Sequence, residues 1–158
     1  MRRIRFAVIT LMLALSLTAC GAGFNASTRH VSQVTDGAEA SIKSNGNNIK
    51  LANVLVVATA EGAGVLVGTV INSQPDEDAL LGVAINGVVA NVTGTNTLAQ
   101  NTPIRFEGES ANAKAVAPVL KAIAGSHVSV TMFFAHAGEV TVLAIVRDQR
   151  DTYSGITA

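Results

Sequence analysis

The chain has 158 residues, 11 basic and 11 acidic side chains, 49% apolar residues, no tryptophan, one tyrosine and one cysteine. That length holds one domain with a flanking segment, and it can build a hydrophobic core of its own. Balanced charge excludes a basic surface for nucleic acid, and a lone cysteine excludes an intramolecular disulfide.

The chain opens with Arg2, Arg3 and Arg5, followed by the apolar run Phe6 to Leu17 and the sequence Leu17-Thr18-Ala19-Cys20. A basic start, a short apolar stretch and small residues leading into a cysteine predict a secretory signal peptide over 1–19 that ends in a lipobox. The apolar run is short for a transmembrane helix. Cys20 is therefore the expected lipidation site, carrying diacylglycerol and fatty acyl chains, and membrane lipid is the first expected partner. More than one acyl chain is needed for stable anchoring. The expected location is the extracytoplasmic face of the cell membrane. Three of the eleven basic residues leave with the signal, so eight face eleven acidic side chains afterwards. An acylated Cys20 also leaves no free thiol for redox or nucleophilic chemistry.

Residues 20–48 are rich in Gly, Ser, Asn, Thr and Ala and predict a polar tether, on which His30, Val31 and Val34 are the residues able to dock. Asn25-Ala26-Ser27 and Asn91-Val92-Thr93 match a glycosylation sequon, which carries no weight in a lipoprotein of this type. After Asn48 come short β-rich runs: Ile49 to Ala60, Val65 to Ile71, then Leu80 to Ile85 and Val88 to Val92 about Asn86-Gly87. Asn-Gly tolerates the positive φ of a tight turn and is the strongest hairpin signal in the chain. Ile104 to Phe106 is a short strand candidate. Ala113 to Ile123 stays open between strand and helix, its Ala and Lys favouring helix and Pro118 opposing it.

His127 to Phe134 and Glu139 to Val146 flank a turn at Ala135 to Gly138. In the first of these, Val128, Val130, Met132 and Phe134 share the core face, and His127, Ser129 and Thr131 share the other. The second is apolar on both faces, which predicts a central, covered strand. Together these runs predict an all-β, antiparallel, Ig-like β-sandwich over 49–148, with a C-terminal tail at 149–158.

Reactive groups are few. No phosphate loop, GxSxG or HExxH pattern occurs, and His30, His127 and His136 are far apart. His136 reads as a solvated turn residue and His127 as an exposed strand start. Pro75-Asp76-Glu77-Asp78 lacks the ligand spacing of a calcium loop and reads as a solvated loop. Glu107 and Glu109 share a parity, but paired carboxylates do acid–base work only in a pocket that separates their pKa values. No enzyme is expected.

The stretch Ala124 to Val140, through Gly125, Val128, Thr131, Phe134 and Ala137-Gly138-Glu139-Val140, resembles the closing hairpin of the PCu(A)C-type periplasmic copper chaperones. That resemblance implies a cupredoxin-like sandwich. It also implies a His-x-Met copper pair about a dozen residues upstream, where this chain has Asn112 and Lys114. Cu(I) favours soft and imidazole donors, so those positions read as lost ligands. The remaining donors, His127, His136 and Met132, are the candidates for a rebuilt site. A lipobox, tether and ligand-poor sandwich together resemble the actinobacterial branch of small lipoproteins related to these chaperones. Some members of that branch are accessory subunits of the cytochrome bcc–aa3 supercomplex.

Three functions follow as expectations. The first is a lipid-anchored, non-catalytic interaction module of a membrane protein complex, with Asn72 to Asp78 and 107–114 among its contact loops and without a cofactor. The second is a copper chaperone with a rebuilt Cu(I) site. The third is a cell-envelope ligand-binding protein, which the shortage of aromatic residues disfavours.

Overall fold

The computed structural model describes residues 36–158. The readings on the signal peptide, Cys20, His30, Val31, Val34 and the Asn25 sequon lie outside them. The strands are β1 (Ala38–Ile42), β2 (Ile49–Ala58), β3 (Gly64–Asn72), β4 (Asp78–Ile85), β5 (Val88–Val89), β6 (Asn91–Gly94), β7 (Thr97–Leu98), β8 (Ile104–Arg105), β9 (Ala113–Ala117), β10 (His127–Phe134) and β11 (Gly138–Asp148). A 3₁₀ turn at Asp151–Tyr153 follows.

Hydrogen-bonded order runs β5-β4-β10-β11 on one side and continues β2-β3-β9-β6 on the other. The joint is β11. Its first part, Gly138 to Ile145, pairs antiparallel with β10, whereas Val146 to Asp148 run parallel to Val56–Ala58 of β2. One strand thus belongs to both layers, which enclose a core that includes Leu51, Val56, Leu66, Leu80, Ile85, Phe106, Val130 and Met132. This is the all-β sandwich expected from the spaced runs.

Asn86 (φ 52°) and Gly87 (φ 76°) form the left-handed turn that their residue types favour. The alternation in β10 is also as expected, with Val128, Val130, Met132 and Phe134 buried and His127, Ser129 and Phe133 exposed. In β2 the register shifts at Asn53 (φ 54°), so Ile49 and Leu51 face the core before the bulge and Val54 and Val56 after it. A bulge moves a strand's apolar set by one residue.

The sandwich exceeds the bounds that hydropathy suggested. Residues 38–42, inside the stretch read as tether, pair with β2, because the backbone ladder accepts Ala-Glu-Ala-Ser-Ile as readily as an apolar run. Ala113–Ala117 settles as strand, alternating buried and half-buried, and Pro118 ends it. The last strand is not covered throughout: Leu143 is exposed, because β11 is central only along its backbone ladders.

The tail is packed as well. Leu55, Val57, Val65 and Val67 form a second apolar cluster on the outer face of β2 and β3, closed by Ile156 with Tyr153 against it. Gln149 ties the segment down, its amide group donating to the Ile156 carbonyl and its Oε1 accepting from Ala60 N–H at 2.8 Å. Ile156→Ala is expected to cost about 2 kcal/mol, the low end for a buried isoleucine because the site is near the surface. A lowered urea midpoint with an unchanged denaturant slope checks this.

Candidate functional site

The donors proposed for a rebuilt metal site do not converge. His127 opens β10 and His136 lies just past its end, so roughly 23 Å of strand separates them. Met132 is fully buried between them, its side chain on the core face. Among the described residues no three His, Cys, Asp or Glu side chains form a metal-holding group.

Asn112 is structural. Its Oδ1 accepts from Arg105 N–H (2.7 Å), its Nδ2 donates to Pro103 carbonyl (3.0 Å), and its own carbonyl accepts from Thr95 N–H (2.9 Å). Gly94 (φ 87°) packs against it, and a Cβ there would lie 2.4 Å from the Asn112 carbonyl oxygen. Lys114 sits on β9 opposite Thr93, and its charge acts on Glu107. An amide engaged on both atoms and an ammonium are not a Cu(I) donor set.

Among the clefts of the described residues, two bear on the carboxylates singled out in the sequence. The first, about 420 Å³, is lined by Asn45, Asn47, Gln74, Asp76, Glu77, Asp78 and His136 among others. Within it the Pro75–Asp78 loop is not wholly solvated, for Asp78 is 5% exposed. Its Oδ1 accepts from Ala79 N–H (2.7 Å) and His136 N–H (2.9 Å), and its Oδ2 from Ala137 N–H (2.9 Å). The His136 ring Nδ1 lies 3.5 Å away. Burial opposes the charge on Asp78, but these amides and the ring outweigh it and hold the carboxyl below its ordinary value. Buried Asn72 braces the same loop, donating to the Asp76 and Leu98 carbonyls and accepting from Gln74 N–H. This cluster is a latch that closes the β10–β11 turn onto the start of β4. Nothing in the Asp-Glu-Asp spelling signals it, since the cue is the turn 58 residues later.

The second cleft, about 480 Å³, lies between the C-terminal segment and β3, lined by Asn53, Val67, Glu107, Thr152, Tyr153 and Ile156 among others. Burial raises the Glu107 carboxyl above its ordinary value, partly opposed by Lys114. Glu109 is exposed and stands outside this lining.

The outer faces of the two layers differ. The C-terminal segment covers β2 and β3 and the same cluster takes in Ile145 of β11, whereas among the described residues none packs over the rest of the outer face of β5-β4-β10-β11. That bare face presents Leu81 (68% exposed), Val89 (76%), Leu143 (67%) and Phe133, around small residues Gly82, Ala84 and Ser129 and a Thr131–Thr141 hydroxyl pair at 2.8 Å. Within the paired rows of β4, β5, β10 and β11 the titratable side chains on this face are His127 and Glu139, and Arg147, of the same parity on β11, lies one row beyond His127 and pairs with Asp36. Single exposed apolar residues are ordinary, but here four of them share one sheet face.

No family model matches the sequence, and no curated protein is similar to it. Solved structures are similar in fold. The apo PCuAC domain from PmoF1 superposes with a TM-score of 0.58 at 18% identity, over 70% of this chain and 99% of that one. The copper-bound PCuAC domain from PmoF2 gives 0.58 at 20% identity, over 70% and 98%. The apo PmoF2 domain gives 0.55 at 20% identity, over 73% and 96%. The fold implied by the Ala124–Val140 hairpin is thus the fold observed.

Proposed function

We propose that this PCuAC-fold domain serves as a non-catalytic interaction module, held at the extracytoplasmic membrane surface by acylated Cys20. The observation that carries the reading is the uncovered face of Leu81, Val89, Phe133 and Leu143 on a domain whose metal donors are dispersed. Anchoring would raise the domain's effective concentration beside a membrane partner, so a modest contact area suffices. The partner on this reading is a membrane protein complex, with the cytochrome bcc–aa3 supercomplex the first to examine.

The test is purification of the full chain from native membranes in mild detergent, with mass spectrometry and a haem spectrum. Cytochromes recovered in fixed ratio, and lost with Leu143→Glu, are expected. Recovery of the lipoprotein alone overturns the reading.

A second reading, favoured by the copper-bound PmoF2 neighbour, is Cu(I) transfer through His127 or His136 with a displaced Met132. It requires Cu(I) affinity that falls when any of these three is replaced. Binding no tighter than an adventitious site removes it.

A further inference from the structure

The bare face is not only apolar; it is patterned along the strands. Rows that run across β10 and β11 read His127–Ile145, Ser129–Leu143, Thr131–Thr141 and Phe133–Glu139. On β4, Gly82 extends the Phe133 row, with Leu81 at the irregularity beside it, and Ala84 extends the Thr131 row to Val89. Glu139 and the apolar pair Leu81 and Phe133 therefore lie at one end. His127 lies at the other end, and the loop before β10 presents exposed Val119 and Ile123 there. That loop is fixed to this end by Asn86 Nδ2 donating to the Leu120 carbonyl (3.2 Å) and Gly125 N–H donating to the Val146 carbonyl (2.8 Å).

Resting on the reading of this face as the docking surface, we propose that its occupant is a second copy of this chain, related by a twofold axis. The axis lies in the interface, crosses the strands at right angles and passes between the Ser129 and Thr131 rows. It maps the His127 row onto the Phe133–Glu139 row of the second copy. Each His127 then comes within one strand spacing, about 4.8 Å laterally, of Glu139 of the second copy, twice over by symmetry. Leu81 and Phe133 turn toward the end that bears Val119 and Ile123. Leu143 falls opposite Thr141 of the second copy, where the side chains are short enough to admit it. A face with His127 at one end, flanked by Lys121 of the adjoining loop and Arg147 of β11, and with Glu139 at the other, is complementary to itself in this orientation. A rotation about an axis along the strands would set Glu139 against Glu139.

The face measures roughly 20 by 19 Å from strand rise and spacing, giving about 800 Å² buried in total, the size of a weak, transient contact. A weak, concentration-dependent dimer is expected, favoured where chains are confined to a membrane.

Sedimentation of the full chain in density-matched detergent tests the association. Wild type is expected to pass from monomer to dimer with concentration, and Leu143→Glu to stay monomeric at least tenfold higher with an unchanged thermal midpoint. In vesicles of phosphatidylcholine and phosphatidylglycerol, a short bis-maleimide reagent should link the His127→Cys/Glu139→Cys double variant into dimers above the level of either single variant. A monomer at all concentrations, or a dimer insensitive to Leu143→Glu, overturns the proposal. If the monomeric chain still retains a membrane complex that Leu143→Glu releases, the interaction-module reading stands and the second-copy partner falls.

Discussion

Asp78→Ala is expected to cost about 4 kcal/mol, because three backbone N–H groups lose a charged acceptor at once and hydrogen bonds to charged groups contribute roughly 1.5–3 kcal/mol each. The donors are Ala79, His136 and Ala137, so the loss falls on the junction of β4 with the β10–β11 turn. Asp78→Asn retains one oxygen acceptor and should lose about half as much. The carboxyl is held below its ordinary value in the folded chain. Its contribution is thus fully present above the unfolded value of about 3.9 and is lost as pH falls below it. Denaturant midpoints across acid pH should fall steeply for wild type from about pH 4 downward and more gently for Asp78→Ala. Equal acid slopes in the two proteins would show that the latch contributes nothing.

Met132→Ala separates a packing residue from a copper ligand. Met132 is wholly buried between Val83 of β4 and Val140 of β11 on neighbouring strands. Truncation should cost about 3 kcal/mol, from lost transfer energy and the cavity left behind. Met132→Leu, of similar volume, should cost less than about 1.5 kcal/mol. A thioether that ligates Cu(I) would behave differently, since the leucine variant would keep its stability and lose metal. Cu(I) titration of wild type and both variants decides this, with no difference in affinity expected.

The hairpin at the end of the chain was legible because both its cues are local. Period-two alternation sets the face of each β10 side chain, and Gly138, at φ 85°, supplies a turn conformation that other residues avoid. The Asn86-Gly87 turn was legible for the same reason. What escaped depends on partners and not on local spelling. The five residues of β1 become a strand through the backbone ladder offered by β2, which hydropathy does not record. Ile156 is buried because Leu55 and Val57 are left facing outward after the β2 bulge, beside Val65 of β3, and a bulge has no fixed spelling. Asp78 looked like one of three loop carboxylates, yet only it meets the amides of the β10–β11 turn. The bare face was not legible: β11 read as covered on both faces, so nothing local marked Leu143 as exposed or showed that a covering segment is lacking there.

The crossing strand β11 has a consequence for how the chain reaches this structure. It supplies a central strand to one layer and the parallel neighbour of β2 in the other, so neither layer is complete without residues 138–148. Val56 and Val146 are joined across most of the domain's length, and loop closure over such a separation must be met before the contact is rewarded. Folding should therefore be slow and cooperative, in the millisecond-to-second range usual for sandwiches dominated by distant pairings. During synthesis the layers could not close until the last strand had emerged, so a chain still being made has no finished core to fold around.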